Sequence, residues 1–187
     1  PESVGVPLPG VTIRIDAPND EGVGEIVARG DNVMLGYYND PAATDAVLRD
    51  GWFRTGDLGR MDERGALYIC GRSKNVIVTA NGKNIYPEEL ETRLAQFDSV
   101  GEALVIEARR GDEPCVKAKI YPNATVLREK LGHVPSADEV QSEVRAVVQA
   151  VNAQMPNYKH IKVVEILEEP LEKTTTQKIK RYGDNTK

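Results

Sequence analysis

Apolar and polar residues alternate over Val11-Thr12-Ile13-Arg14-Ile15, the pattern of a strand with one buried face. Gly24 through Arg29 reads as a second short strand. Asp40 then offers a side-chain cap and Pro41 a preset φ, so a helix is predicted to start there and to stop at Asp50-Gly51. Asp62-Glu63-Arg64-Gly65 reads as a hairpin turn leading into a strand at Leu67-Tyr68-Ile69-Cys70. Up to Arg72, then, the pattern is that of β-structure with tight turns.

Beyond Arg72 the periodicity lengthens. Val76–Thr79 is a strand candidate, and Asn81-Gly82 is a turn signal. Pro87 opens a helix with Glu88 and Glu89 in its first turn, where negative charge suits the dipole. Its apolar residues Leu90, Leu94 and Phe97 recur at helical spacing. Strands are expected at Ala103–Ala108 and Cys115–Tyr121. Ser136 with Glu139 forms a capping-box pattern, followed by a stripe of Val140, Val144, Val147, Val148 and Val151 that Pro156 ends. Ile161–Leu167 is the last predicted strand, and Lys173–Arg181 is a Thr-rich basic tail without periodicity. The predicted class is α+β: a small β-rich subdomain over 1–72, then a compact α+β domain over 73–187 with a short sheet and flanking helices.

Composition narrows the functional classes. The 187 residues are 40% hydrophobic and 28% charged, the balance of a folded globular protein rather than a disordered one. A net charge of -5 gives no basic footprint for nucleic acid. Cys70 and Cys115 read as buried thiols, and His133 and His160 match no metal-ligand spacing, so no metal site is expected. No apolar run is long enough for a transmembrane helix. The chain opens at Pro1-Glu2-Ser3 without a methionine, and we expect it to be a piece of a longer polypeptide.

Four stretches could carry chemistry. They are Gly24–Gly30 with Met34-Leu35-Gly36-Tyr37-Tyr38; Gly51-Trp52-Phe53-Arg54-Thr55-Gly56-Asp57; Gly71-Arg72-Ser73-Lys74 through Gly82 and Pro87-Glu88-Glu89-Leu90-Glu91; and Gln177-Lys178-Ile179-Lys180-Arg181. Taken singly each has an ordinary explanation. Spacing alone favours a plain turn at Thr55-Gly56-Asp57, although a carboxylate held on such a turn could accept both hydroxyls of a ribose. Arg72 and Lys74 could be solvated surface charges, and Lys178 a mobile charge in a tail.

In sequence order, however, these stretches resemble the later motifs of the adenylate-forming superfamily: acyl- and aryl-CoA synthetases, luciferases and the adenylation domains of peptide synthetases. The resemblance covers nearly the whole chain. It implies an ATP-dependent acyl-CoA synthetase that makes an acyl-adenylate and then a CoA thioester, with ATP, Mg2+ and CoA used by the full-length enzyme and none held tightly by this part. By the same resemblance, Asp57 and Arg72 bind the ribose and adenylate, and Lys74 is the hinge between domains. Gly82 lies where the pantetheine tunnel forms, and Lys178 bridges the carboxylate and the α-phosphate. The stretch over 1–72 would close the large N-terminal domain, leaving 73–187 as the mobile C-terminal domain.

Two departures from the family pattern stand out. Gln177 precedes the lysine where glycine is usual, and Glu172 and Lys173 stand where proline often occurs. The Thr79–Asn84 segment is similar in length to that of long-chain fatty acyl enzymes, which points to a fatty acid substrate. The phosphate loop and the acyl pocket belong upstream. The missing N-terminal domain is therefore the expected partner, and the chain alone is expected to be inactive. The resemblance implies a cytoplasmic enzyme, with peripheral attachment to a membrane as the variant location. Two alternatives stay open: a domain that loads a carrier protein, and a non-catalytic binding module that keeps the fold.

Overall fold

The computed structural model describes residues 3–111 and 113–181. Its contacts divide the chain into two compact units, one running through Asn75 and the other starting at Val76.

The first unit is an antiparallel sheet. Strands β1 (Val11–Asp16) and β2 (Gly24–Gly30) pair in register from Val11–Gly30 to Asp16–Glu25. A short helix, α1 (Pro41–Val47), is capped by the Asp40 carboxylate, which accepts the Ala43 N–H at 2.9 Å. The helix ends earlier than its sequence pattern suggests. Leu48–Arg49 is strand β3, which pairs with the start of β4 (Trp52–Met61), and Asp50-Gly51 is the two-residue turn between them. Both turn residues have positive φ (51° and 77°), the backbone of a type I′ hairpin that Asp-Gly favours. Strand β5 (Leu67–Arg72) returns beside β4, so β4 has β2, β3 and β5 as partners. Val23, Ile26 and Val27 supply the buried apolar residues here. The unit ends in a single 3-10 turn, Ser73–Asn75.

The second unit is mixed α+β. Strands β6 (Ile77–Val78) and β7 (Asn84–Ile85) form a small hairpin ahead of helix α2 (Pro87–Leu94). Long strands β8 (Val100–Arg110) and β9 (Glu113–Pro122) pair antiparallel. Helix α3 (Ala124–Leu131) follows, with Asn123 as its N-cap and Gly132 in the left-handed conformation (φ 75°) at its end. Sequence periodicity did not reveal α3; its cap residues mark it. Helix α4 (Ala137–Ala153) has both arms of its capping box, Ser136 and Glu139 bonding each other's backbone N–H. Strand β10 (Ile161–Ile166) then adds parallel to β9, giving the order β10-β9-β8.

One core joins these elements. Leu90 and Leu94 of α2, Val105 of β8, Ala118 and Ile120 of β9 and the α4 valines Val144 and Val151 are nearly or fully excluded from solvent. Phe97 lies beyond the end of α2 yet packs against the same core. Cys115 is buried and Cys70 only half-buried, and they are not paired in a disulfide. The histidines serve local structure: His133 contacts Glu139 at 3.0 Å, and His160 contacts the Met155 carbonyl at 2.9 Å.

Candidate functional site

The Thr55-Gly56-Asp57 stretch lies inside strand β4 rather than in an isolated turn. Between the pairs Val27–Arg54 and Glu25–Leu58 the register of β4 slips, so Thr55, Gly56 and Asp57 bulge out opposite Ile26. Gly56 takes φ 72°, a conformation glycine adopts without strain. Side chains pin the bulge. Thr55 donates its hydroxyl to the Ile26 carbonyl at 2.7 Å and accepts the Asp57 N–H at 3.0 Å. The Glu25 carboxylate accepts the Gly56 N–H at 3.2 Å and pairs with Arg54, which also reaches Asp16 at 3.0 Å.

The bulge sets Asp57 directly across from Arg72 on β5, and Arg72 Nε lies 2.7 Å from Asp57 Oδ1. The Asp57 side chain is 30% exposed and that of Arg72 60%. An exposed pair of this kind contributes no more than about 1 kcal/mol to stability, so its geometry is of more interest than its energy. A carboxylate held by a guanidinium on a rigid two-strand platform can accept hydrogen bonds from a vicinal diol, while the guanidinium offers its other N–H groups.

Lys74 is exposed in the Ser73–Asn75 turn, immediately before the division between the units. Gly82 forms the tip of the β6–β7 hairpin with φ 73°. The turn closes through Gly82 N–H to the Thr79 carbonyl and Thr79 N–H to the Lys83 carbonyl, both 2.9 Å. Beside it opens a pocket of about 260 Å³ whose lining includes Thr79, Lys83, Cys115, Tyr158, His160 and Lys162. Lys83 Nζ sits over the Tyr158 ring at 4.6 Å, so two lysines, the Glu113 carboxylate and an aromatic face share the wall of this pocket.

The basic tail is ordered, in contrast to its aperiodic sequence. Thr174 N–H donates to the Lys178 carbonyl at 2.8 Å, and Lys178 N–H donates to Thr174 Oγ1 at 3.2 Å. Gln177 N–H reaches the Thr174 carbonyl at 2.9 Å, and Lys173 bridges Ile179 antiparallel. The result is a tight loop that presents Lys178 to solvent. Gln177, the residue that departs from the family's glycine, has φ 62°. A left-handed backbone costs a non-glycine residue roughly 1 kcal/mol. Gln177→Gly is therefore expected to raise the unfolding free energy by about 0.5–1 kcal/mol, read from the urea midpoint. A lower midpoint would show that the glutamine side chain is needed there.

The structure thus brings Asp57 and Arg72 together on the first unit and places Gly82 and Lys178 at separate loops of the second. Glu25 and Thr55 at the bulge and Arg181 beside the lysine loop lie within the motif stretches read from the sequence, but that reading gave them no role of their own. Each acts on a partner distant in sequence, which no local spacing announces. Among the described residues no cluster of His, Cys, Asp or Glu could hold a metal ion.

The sequence profile of the AMP-binding enzyme C-terminal domain matches residues 74–183. The chain belongs to the AMP-binding, adenylate-forming enzyme family. Long-chain-fatty-acid–CoA ligase FadD15 of Mycobacterium tuberculosis is 35% identical, over 96% of this chain and 31% of its own length. Indoleacetate–CoA ligase of Aromatoleum aromaticum is also 35% identical, over 96% of this chain and 33% of its own. Among solved structures, o-succinylbenzoate CoA synthetase of Bacillus subtilis, in complex with its acyl-adenylate, aligns with a TM-score of 0.75 and 29% identity. That alignment covers 95% of this chain and 34% of the synthetase. The chain spans about a third of the length of these AMP-binding enzymes.

Proposed function

We propose that this chain is the C-terminal part of an ATP-dependent acyl-CoA ligase of the long-chain fatty acid type, working with the N-terminal domain that makes up the rest of such ligases. The observation that carries this reading is the separation of two site groups onto two compact units. The Asp57–Arg72 pair lies on the first, the Lys178 loop on the second, and the chain passes between them after Asn75, one residue past Lys74.

In the first half-reaction a carboxylate oxygen attacks the α-phosphorus of ATP. The bond to the β-phosphate oxygen breaks, and pyrophosphate leaves with its electron pair. Asp57 and Arg72 hold the ribose of the nucleotide, and Lys178 bridges two groups that are both anionic and would otherwise repel. In the second, the CoA thiol loses its proton and attacks the acyl carbon, and the bond to AMP breaks. A lysine filling the acyl side of the site would obstruct the thiol, so the second unit turns about Lys74 and exchanges the Lys178 loop for the Gly82 hairpin. Lys83 and Lys162, in the pocket next to Gly82, support CoA, a polyanion, as the acceptor. Magnesium enters bound to the ATP phosphates, and no ligand to it is assigned in this chain.

The long-chain specificity is supported by the length of the Thr79–Asn84 segment and by FadD15. Indoleacetate–CoA ligase carries a different acyl group at the same identity, so a panel of carboxylates with the intact ligase decides between them. The reading places the ligase in the cytoplasm, with peripheral attachment to a membrane as the variant location. Among the described residues no helix is long and apolar enough to cross a membrane.

Asp57→Ala tests the nucleotide role in the intact ligase. Two charge-assisted bonds to a ribose, at about 1.5–3 kcal/mol each, translate into a KM for ATP raised about 100-fold or more. The KM for the carboxylate should stay within about twofold. An unchanged ATP KM would remove Asp57 from the site.

A further inference from the structure

Two groups of contacts tie down the loop that carries Lys178, and neither involves the lysine itself. Ahead of the loop, Glu102 of β8 accepts the Leu171 N–H at 2.8 Å and pairs with Lys173 Nζ at 2.5 Å. After it, Arg181 inserts its guanidinium between α2 and β8. Nη2 pairs with the Glu91 carboxylate and lies 3.4 Å from Glu88 Oε1, while Nη1 donates to the Val105 carbonyl at 3.4 Å. The other oxygen of Glu91 accepts the Val105 N–H at 2.7 Å. Helix, strand and loop are thereby closed into one ring of hydrogen bonds around Val105, itself 1% exposed.

Stability is a poor explanation for this ring. The Arg181, Glu91 and Glu88 side chains are only 19%, 19% and 27% exposed, so their charges are largely withdrawn from water. Burial pushes the Glu91 carboxyl up, against Arg181 and the Val105 N–H that draw it down, and Glu88 adds to the rise. A raised carboxyl is favoured by folding when protonated. Its contribution is fully present below the ordinary carboxylate value and is lost as pH rises through the elevated one. At neutral pH the ionised group therefore works against the fold. Buried ion pairs of this kind give geometry more readily than energy. A planar guanidinium can span two carboxylates and a carbonyl at once, which an ammonium cannot.

We propose that Arg181, seated on Glu91, Glu88 and Val105, is the positioning residue that sets the Lys178 loop in register for adenylation. This rests on the reading of Lys178 as the adenylation lysine. Arg181 makes no claim on substrate; it fixes the end of the Thr174–Lys178 turn while Glu102 fixes the beginning. The ring is anchored to the rigid α2–β8 layer, so when the second unit moves, the loop moves with it as one body.

Two measurements separate the clamp from the function it serves. On this chain, amide hydrogen exchange is followed at Thr174, Gln177, Lys178 and Lys180, whose N–H groups are all bonded within the loop. Arg181→Ala should speed exchange there at least fivefold and leave the α4 amides unchanged, with Arg181→Lys recovering only part of the protection. Unaltered loop exchange, or equal acceleration in α4, overturns the clamp. In the intact ligase, Arg181→Ala should lower kcat for acyl-adenylate formation at least 10-fold with both KM values within about twofold. Thioester formation from supplied acyl-adenylate should stay at the wild-type rate. Equal loss in both half-reactions, or no loss in the first, overturns the positioning role. Lys178→Ala run alongside shows whether the reading of the lysine itself holds: normal adenylation in that variant removes the catalytic half of the proposal, while the exchange result still judges the clamp.

Discussion

Lys178→Ala in the intact ligase is expected to slow acyl-adenylate formation by about 100- to 1,000-fold, the range seen when one preorganised charge-stabilising donor is removed. The reason is electrostatic. Carboxylate and triphosphate must approach within bonding distance, and a cation between them lowers the cost most where water is excluded. Lys178 suits the task because its ammonium takes no partner among the described residues, while its backbone is held on both sides by Thr174. The second half-reaction does not use this lysine, because the Lys178 loop has been exchanged for the Gly82 hairpin by the time the thiolate attacks the acyl carbon and AMP departs. Thioester formation from supplied acyl-adenylate should therefore run at the wild-type rate. Parallel loss of both steps would mean that the lysine supports the fold or the overall site.

Leu90→Ala should cost the second unit about 2–5 kcal/mol, measured by urea denaturation. Leu90 is fully buried, and its helix neighbour Leu94 and Ile120 of β9 are equally closed to solvent. Truncation there leaves a cavity between α2 and the sheet that a close-packed core cannot collapse around. Against a domain stability of roughly 5–15 kcal/mol the loss is large. Leu35→Ala is the internal control. Leu35 is fully exposed in the first unit, and its truncation should stay within about 0.5 kcal/mol of wild type. A Leu90→Ala cost near that of the control would contradict the assignment of this core.

Helix α4 was the most legible element, because its capping box and valine stripe are local signals and both survive in the fold. Helix α2 was nearly as clear, from Pro87 and the leucine spacing. Asp50-Gly51 shows how a correct signal can carry the wrong meaning: a turn was readable there, but the strand on each side of it was not. Strand β4 was hidden because Gly56 and Asp57 interrupt its alternation, and the bulge that accommodates them depends on Glu25 and Thr55 reaching across to β2. Helix α3 has one buried leucine, Leu127, so its stripe is too thin to detect. The lysine loop has no periodicity at all. Its order comes from threonine hydroxyls and from ion pairs with residues far away in the chain, such as Arg181 with Glu91. Asp57 and Arg72 could be read from the sequence as separate candidates; their pairing needed the register of β4 and β5.

The nucleotide product tests the account most directly. The intact ligase, given a long-chain fatty acid, ATP and CoA, should release AMP and pyrophosphate in equal amounts with acyl-CoA. This chain alone should catalyse no carboxylate-dependent exchange of pyrophosphate into ATP. ADP as the product of the intact ligase, or robust exchange by this chain by itself, would contradict it.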